Sequence, residues 1–313
     1  MLGLIAPSFL FIALHLNVVV YTKLMENFEP KTEVRETKFN EATEIGISRA
    51  FDKVTTRFEN SPDEKNNLPY HNRLHSEDVV RRTALILSKI REKLPSIVAE
   101  RDIGIGKLIA ANHDTVQNWQ ENIVEEGQFT KITRKRFVGT NEKASYEEAQ
   151  LFMEEINREA GEEIFTDSDK RAVQEGIDGT VPNWDQKEKT VTQLNVTDKV
   201  GLTAVAVALS DLGTAGMDGQ EGFLSETDRL FREENLDVLD AVKDLSMITD
   251  EQKEYFRGRM LSWVQAQIAF IIGRKNLLDS EMKWIPEEAR ESVKALFDKF
   301  DESIEAGKKS FET

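Results

Sequence analysis

Between Phe39 and Phe58 the apolar positions Ile45, Ile47, Phe51 and Val54 recur at helical spacing, with polar residues between them. The same period predicts helices over residues 71–94, 103–119, 141–160 and 167–180, and again over 186–212, 222–242, 249–278 and 286–306. Start signals agree with several of these limits. Thr249-Asp-Glu-Gln252 has capping-box form, and Pro286 followed by Glu287 and Glu288 suits a first helical turn. Alternating runs joined by hairpin turns do not stand out, so strands are expected to be few or absent. There is no internal repeat and no Gly/Ser-rich or Pro-rich linker. The expectation is one all-α domain over residues 26–313.

Residues 1–25 form a separate apolar segment. The stretch 2–21 is long enough to cross a bilayer, with Lys23 following it on the expected cytoplasmic side, but Pro7, Ser8, His15 and Asn17 interrupt it. A cleaved signal fits poorly, because no Lys or Arg precedes the apolar run and no small-x-small site follows it. Two readings stand side by side: an N-terminal membrane anchor on a cytoplasmic domain, or a start codon placed ahead of Met25.

Composition narrows the chemistry. With no Cys among 313 residues, disulfides, thiolate zinc sites, iron–sulfur clusters and cysteine nucleophiles are excluded. Forty-one basic residues against 57 acidic ones give a net charge of −16, which argues against general nucleic-acid binding. A small phosphorylated substrate held by a metal or a local basic group stays open.

Three of the four histidines occupy suggestive places. In Leu68-Pro-Tyr-His-Asn-Arg-Leu-His75, His71 and His75 are four apart and share a helical face. Leu108-Ile-Ala-Ala-Asn-His-Asp114 sets a His-Asp pair near the end of an apolar helix, and Leu209-Ser-Asp-Leu-Gly213 ends another with Asp211. Imidazole and carboxylate are what Mn, Fe, Zn, Co, Ni or Mg takes when no thiolate is offered. Singly, each residue reads as an ordinary core histidine or helix-end acid; their order is what points to a metal. Gly104-Ile-Gly-Lys107 lacks the P-loop spacing, and residues 211–222 lack calcium-loop ligands. Asp198 and Asp218 compete with Asp211 for the last ligand position.

The series His…His-Asp…Asp across successive helices resembles the HD-domain metal-dependent phosphohydrolase superfamily. Tyr70-His-Asn-Arg-Leu-His75 with Asp78-Val-Val80 resembles the opening motif of its cyclic nucleotide phosphodiesterase branch. Asn141-Glu-Lys-Ala-Ser145, Ile177-Asp-Gly-Thr-Val-Pro182, Asp211-Leu-Gly-Thr-Ala-Gly216 and the acidic-aromatic stretch 223–234 are similar, in order, to the bacterial predicted HD phosphohydrolases. The resemblance spans about residues 68–235 and implies an HD-type helical bundle with extra C-terminal helices.

It also implies one divalent metal on His75, His113, Asp114 and Asp211, with His71 as general acid, so that His71 and Asp114 lead the catalytic candidates. The implied reaction is hydrolysis of a phosphate mono- or diester of a nucleotide by metal-activated water. Gln117 stands where the phosphodiesterase branch has a further His for a second metal, which favours one ion. Asn72 is open to capping the helix or touching phosphate, and Glu142 to contacting the metal's water or serving its own helix. The run Lys131-Ile-Thr-Arg-Lys-Arg136, expected in a loop, offers Arg134 and Arg136 as phosphate ligands or as solvated surface; Arg73 competes with them. Asn72, Arg73, Gln117, Glu142, Arg134 and Arg136 are thus the substrate-binding candidates. The rival reading is a catalytically silent HD domain that binds a nucleotide or partner protein in signalling.

Overall fold

A computed structural model describes residues 34–312. The expectations about residues 1–25 lie outside the described residues. Among those described, no helix is long and apolar enough to cross a membrane.

The chain is mostly helical, as the periodicity predicts. Helix α1 covers residues 34–58. It is followed by α2 (Arg73–Lys93), α3 (Glu100–Asn112), a hairpin of β1 (Trp119–Glu126) and β2 (Phe129–Arg136), α4 (Thr140–Ala160) and α5 (Asp167–Asp178). A short hairpin of β3 (Asn183–Asp185) and β4 (Thr190–Thr192) leads into α6 (Leu202–Asp211), α7 (Thr214–Met217), α8 (Gly219–Glu234) and α9 (Leu236–Ala241). The chain ends with α10 (Asp250–Glu281), α11 (Glu287–Lys294) and α12 (Phe300–Glu312).

Helices α2, α3 and α6 form the middle of the molecule, packed on one another. Their two sides carry two apolar cores. On one side Phe39 and Ile47 of α1 meet Leu108 and Ile109 of α3, Met153 of α4 and Ile177 of α5. On the other, Ile86 and Ile90 of α2 meet Leu209 of α6, Phe223 of α8, Ile271 of α10 and Val293 of α11. Helix α6 serves both, with Val207 in the first core and Val205 in the second. This is why its sequence is apolar all round rather than amphipathic.

Where α2 and α3 cross closely, Gly106 leaves room for the side chains of α2. A Cβ there would stand 2.5 Å from Leu87 Cδ1 and 3.1 Å from Thr83 Cγ2. Shape, not backbone freedom, selects glycine at that position. The close approach brings the end of α3 toward the start of α2. Asn72 sets that start: its side chain accepts from the His75 amide, 3.2 Å away, as the N-cap. The Thr249–Gln252 capping box forms as the sequence predicts, at 2.9 and 3.2 Å.

The hairpins correct the expectation for 186–212 and for the basic run. Residues 186–201 are not helical; only α6 is. Lys131–Arg136 lies on strand β2, not in a loop. The β1–β2 ribbon pairs Gln120 with Lys135, Glu121 with Arg134 and Val124 with Lys131, and turns through Gly127 at φ +67°. Most of β1 is exposed on both faces, so no apolar alternation marks it in the sequence. Three helices also stop short of their predicted limits or break: α3 at Asn112, α8 at Asn235, and the last stretch at 295–298.

Candidate metal centre

The ends of two helices and the first turn of a third converge on a buried polar cluster. His75 is in the first turn of α2, His113 caps the C-terminus of α3 with Asp114 next to it, and Asp211 closes α6. One ligand atom from each of His75, His113, Asp114 and Asp211 lies within 4.8 Å of all the others. His75 Nε2 is 3.4 Å from Asp114 Oδ2 and 3.5 Å from Asp211 Oδ1; His113 Nε2 is 3.0 and 3.4 Å from the same two oxygens. Atoms held about 2.1 Å from a shared centre stand about 3.0 Å apart as octahedral neighbours and about 3.4 Å apart as tetrahedral ones.

The rest of the ring environment agrees. Both Nε2 atoms are buried with no hydrogen-bond partner, an expensive state for an imidazole with nothing to bind. His113 Nδ1 lies 2.7 Å from the Ala110 carbonyl and donates to it, which fixes the tautomer that turns the Nε2 lone pair inward. His75 Nδ1 faces Glu226 Oε1 of α8 at 3.9 Å. These four residues could hold a metal ion.

In the metal-free chain the two acids hold protons on the two rings. Burial disfavours the charge on His113, yet Asp114 and Asp211 outweigh it and raise its pKa to about 10. His75 is raised well above its ordinary value against the same penalty, by Asp114, Asp211 and Glu226. Asp114 and Asp211 are in turn held below the usual carboxylate range by the imidazoles, although burial opposes this.

His71 stands apart from the four. Its Nδ1 donates to Glu233 Oε1, and Glu233 Oε2 also accepts the amides of Tyr70 and His71, at 2.8 and 3.0 Å. Its Nε2 accepts from an Arg136 guanidinium nitrogen at 2.7 Å and lies 4.0 Å from Asp114 Oδ2. Burial and the adjacent guanidinium lower the pKa of His71, so the resting form is the neutral imidazole. Glu233, against its own burial, is drawn down to about 2 by His71 and Arg136. The Tyr70 ring covers both histidines, 4.7 Å from that of His71 and 4.6 Å from that of His75.

The six other candidates divide. Gln117 donates from Nε2 to Asp114 Oδ1 at 2.6 Å, and Arg136 reaches both His71 and the neighbourhood of Asp114 Oδ1, 3.8 Å away. Glu142 is buried close enough to Asp114 to feel its charge, but its carboxylate accepts the Gly139 amide at the start of α4. Asn72 is a cap, as above, and its Nδ2 donates to the Pro69 carbonyl. Arg73 is turned away, bonded to Glu77 at 2.7 Å and stacked on Phe51. Arg134 is spent on backbone, donating to the carbonyls of Glu233 and Lys65. Of the rivals for the last ligand, Asp218 pairs with Arg81 and Arg82, each at 2.6 Å, and Asp198 is exposed.

No family model, curated protein or solved structure matches the chain. The site is therefore read from its own geometry. Sequence reasoning assigned no role to Glu226, Glu233 or Tyr70. A signal existed for the two acids: they are seven residues apart, two helical turns, and so share one face of α8.

Beside the cluster a cavity of about 300 Å³ opens between β4, α8 and α10. Asp211 and Glu226 stand at its metal side. Trp184, Phe223, Trp263 and Phe270 are among the residues that line it, and no Lys, Arg or His does.

Proposed function

We propose that this chain is an HD-type metal-dependent phosphohydrolase acting on a phosphate mono- or diester of a nucleotide. One observation carries the reading: four N/O ligand atoms at coordination spacing, with both imidazole Nε2 atoms buried and unpartnered, next to a histidine–glutamate pair that is not part of the cluster. A divalent ion on His75, His113, Asp114 and Asp211 would lower the pKa of a coordinated water and polarise a phosphoryl oxygen.

The chain's own residues do the rest. His113 is aimed by the Ala110 carbonyl, and the Glu226 carboxylate lies 3.9 Å from His75 Nδ1, on the far side of the ring from the cluster. Glu233 fixes His71 with its Nδ1 proton outward and its Nε2 toward the cluster, and stabilises the ring when Nε2 takes a proton. His71 Nε2 would take that proton from the attacking water as its oxygen bonds to phosphorus. It would pass it to the ester oxygen as the P–O bond to the leaving group breaks, and so serve as the general acid. The aromatic cavity beside Asp211 suits an uncharged planar group, such as a nucleobase, and supports an organic phosphoester over inorganic substrates. Gln117, which binds Asp114 in place of a second ligand set, favours one ion over two.

Elemental analysis of the full-length chain, alongside hydrolysis of p-nitrophenyl phosphate and bis(p-nitrophenyl) phosphate with Mn, Zn, Co or Mg added, tests the reading. Near-stoichiometric metal and turnover, both absent in Asp114→Ala, are expected. A folded chain that takes up metal and nucleotide but turns over neither ester or any nucleotide phosphoester would make it the silent, ligand-binding domain.

A further inference from the structure

The basic run on β2 contains two arginines that are two residues apart and therefore on one face of the strand, yet they have different fates. Arg134 is committed: both terminal nitrogens donate to main-chain carbonyls, and its guanidinium stacks on Trp119 with 4.9 Å to the ring centroid. Arg136 has no such anchor. One terminal nitrogen donates to His71 Nε2 at 2.7 Å and the other is 3.8 Å from Asp114 Oδ1. Its Nε is buried with no partner, as is that of Arg134, so the terminal nitrogens are what set the two apart. An imidazole is a poor use of a five-donor cation, and a buried guanidinium N–H left unpaired is costly.

We infer that Arg136 is the phosphate-binding residue of this site, and that a phosphoryl group draws it off His71 and so uncovers His71 Nε2 for the reaction. This rests on the phosphohydrolase reading for its consequence, though not for the binding itself. Three features support it. A phosphoryl group can accept two parallel N–H bonds from the fork with opposite charge, which a neutral ring nitrogen cannot match. The guanidinium already lies against His71 and near the candidate ligand Asp114, so a phosphoryl group bound beside the cluster would be within its reach. The strand that carries it stays fixed while the side chain turns. Arg134 ties it to Glu233 and Lys65, Thr133 bridges to Asn235, and Phe129 stacks on Tyr255 with centroids 4.4 Å apart.

The device would keep the free site quiet. Without a phosphoryl group His71 Nε2 is occupied by Arg136; with one, the same side chain binds substrate and frees the ring. One fork serves one phosphoryl group, since Arg134 is committed to backbone and Arg73 is turned to Glu77. The ligand class is therefore an ester or anhydride that presents a single phosphoryl group to the cluster.

The test uses the full-length chain loaded with Zn²⁺ and desalted, with inorganic phosphate as probe, followed by calorimetry and by the imidazole ¹⁵N resonances. Arg136→Ala and Arg136→Gln should bind phosphate at least about tenfold more weakly at unchanged metal content, Arg136→Lys less so, and added guanidinium should restore part of the loss in Arg136→Ala. In the wild-type chain the His71 Nε2 resonance, assigned with His71→Gln, should shift when phosphate is added. Unchanged affinity in folded Arg136→Ala or Arg136→Gln overturns the inference. Should both variants fail to fold, an Nε2 resonance indifferent to saturating phosphate overturns it on the wild type alone. Turnover of the two p-nitrophenyl esters and of nucleotide phosphoesters separates the two claims. Phosphate held through Arg136 without turnover of either aryl ester or of any nucleotide phosphoester supports the binding site and sinks the hydrolase reading, whereas turnover with phosphate binding independent of Arg136 does the reverse.

Discussion

Two buried polar clusters in this molecule invite comparison. Between α9 and α10, Arg259 and Asp237, 9% and 10% exposed, form an ion pair in which Arg259 is bidentate on Asp237 and also donates to Asn235 Oδ1. Asn235 in turn donates to the Phe231 carbonyl at 2.7 Å. In the cluster of His75, His113, Asp114 and Asp211, four titratable groups are as deeply buried, yet both Nε2 atoms lack a hydrogen-bond partner. Burying charge demands pairing and hydrogen bonds, and the first cluster satisfies that demand within the chain. The second is arranged around a point instead of around itself. The Arg259 pair is thus closed within the chain, whereas the histidine–aspartate cluster could hold a metal ion.

That contrast can be broken most forcefully at the ligands. His75→Ala or Asp114→Ala should remove the metal, by elemental analysis, and lower phosphoester turnover by on the order of 10³-fold or more. Retained metal in both variants would collapse the distinction. At the structural pair the opposite is expected. Asp237→Ala strands Arg259 and should cost about 3–5 kcal/mol in urea denaturation, with metal content unchanged. Next comes Glu233→Gln, which keeps the shape but loses the charge that fixes His71. Turnover should drop roughly 10–100-fold with metal content intact, and a drop in metal instead would place His71 among the ligands.

The smallest effect is in pH. For metal-free chain the raised pKa of His113, about 10 against 6.5, means its contribution to stability is complete below the lower value and lost as pH rises through the upper. His75 acts in the same direction. Melting of the metal-free chain should therefore weaken from pH 7 to 10. Metal must displace those protons, so the extra stability it confers should grow over the same range. Calorimetric titration of metal near pH 7 in buffers of different ionisation heat should show release of about two protons, one from each ring. A metal titration without proton release would mean that the rings are neutral before binding.

Much of this was legible in the one-dimensional chain. The helix periodicity placed α2, α4, α5 and α10 to within a few residues, because each has an apolar stripe and several have caps. The four residues of the candidate metal cluster were legible because each is a His or Asp at a helix terminus, and together they form an ordered series along the chain. The β1–β2 ribbon was not, since a strand exposed on both faces has no hydrophobic alternation to read. The break at Asn235 was hidden for another reason: residues 222–242 keep helical composition throughout, and the bend comes from contacts of Asn235 with Thr133 and Arg259.

The sequence by itself determined a mostly helical chain without thiol chemistry, strongly acidic, with His75, His113, Asp114 and Asp211 as the candidates for a metal. Spacing along a helix and the donor set of each side chain are local properties, and they survive without coordinates. Only the tertiary structure decided which of the flagged polar residues face one another. It sent Arg73 to Glu77 and Arg134 to backbone, brought Arg136 to His71 from 65 residues away, and put Glu233 behind the same ring from 162 residues away. Those meetings depend on how α2, α3, α6 and α8 pack and on where a ribbon lies across them, and no local pattern encodes a distance between elements.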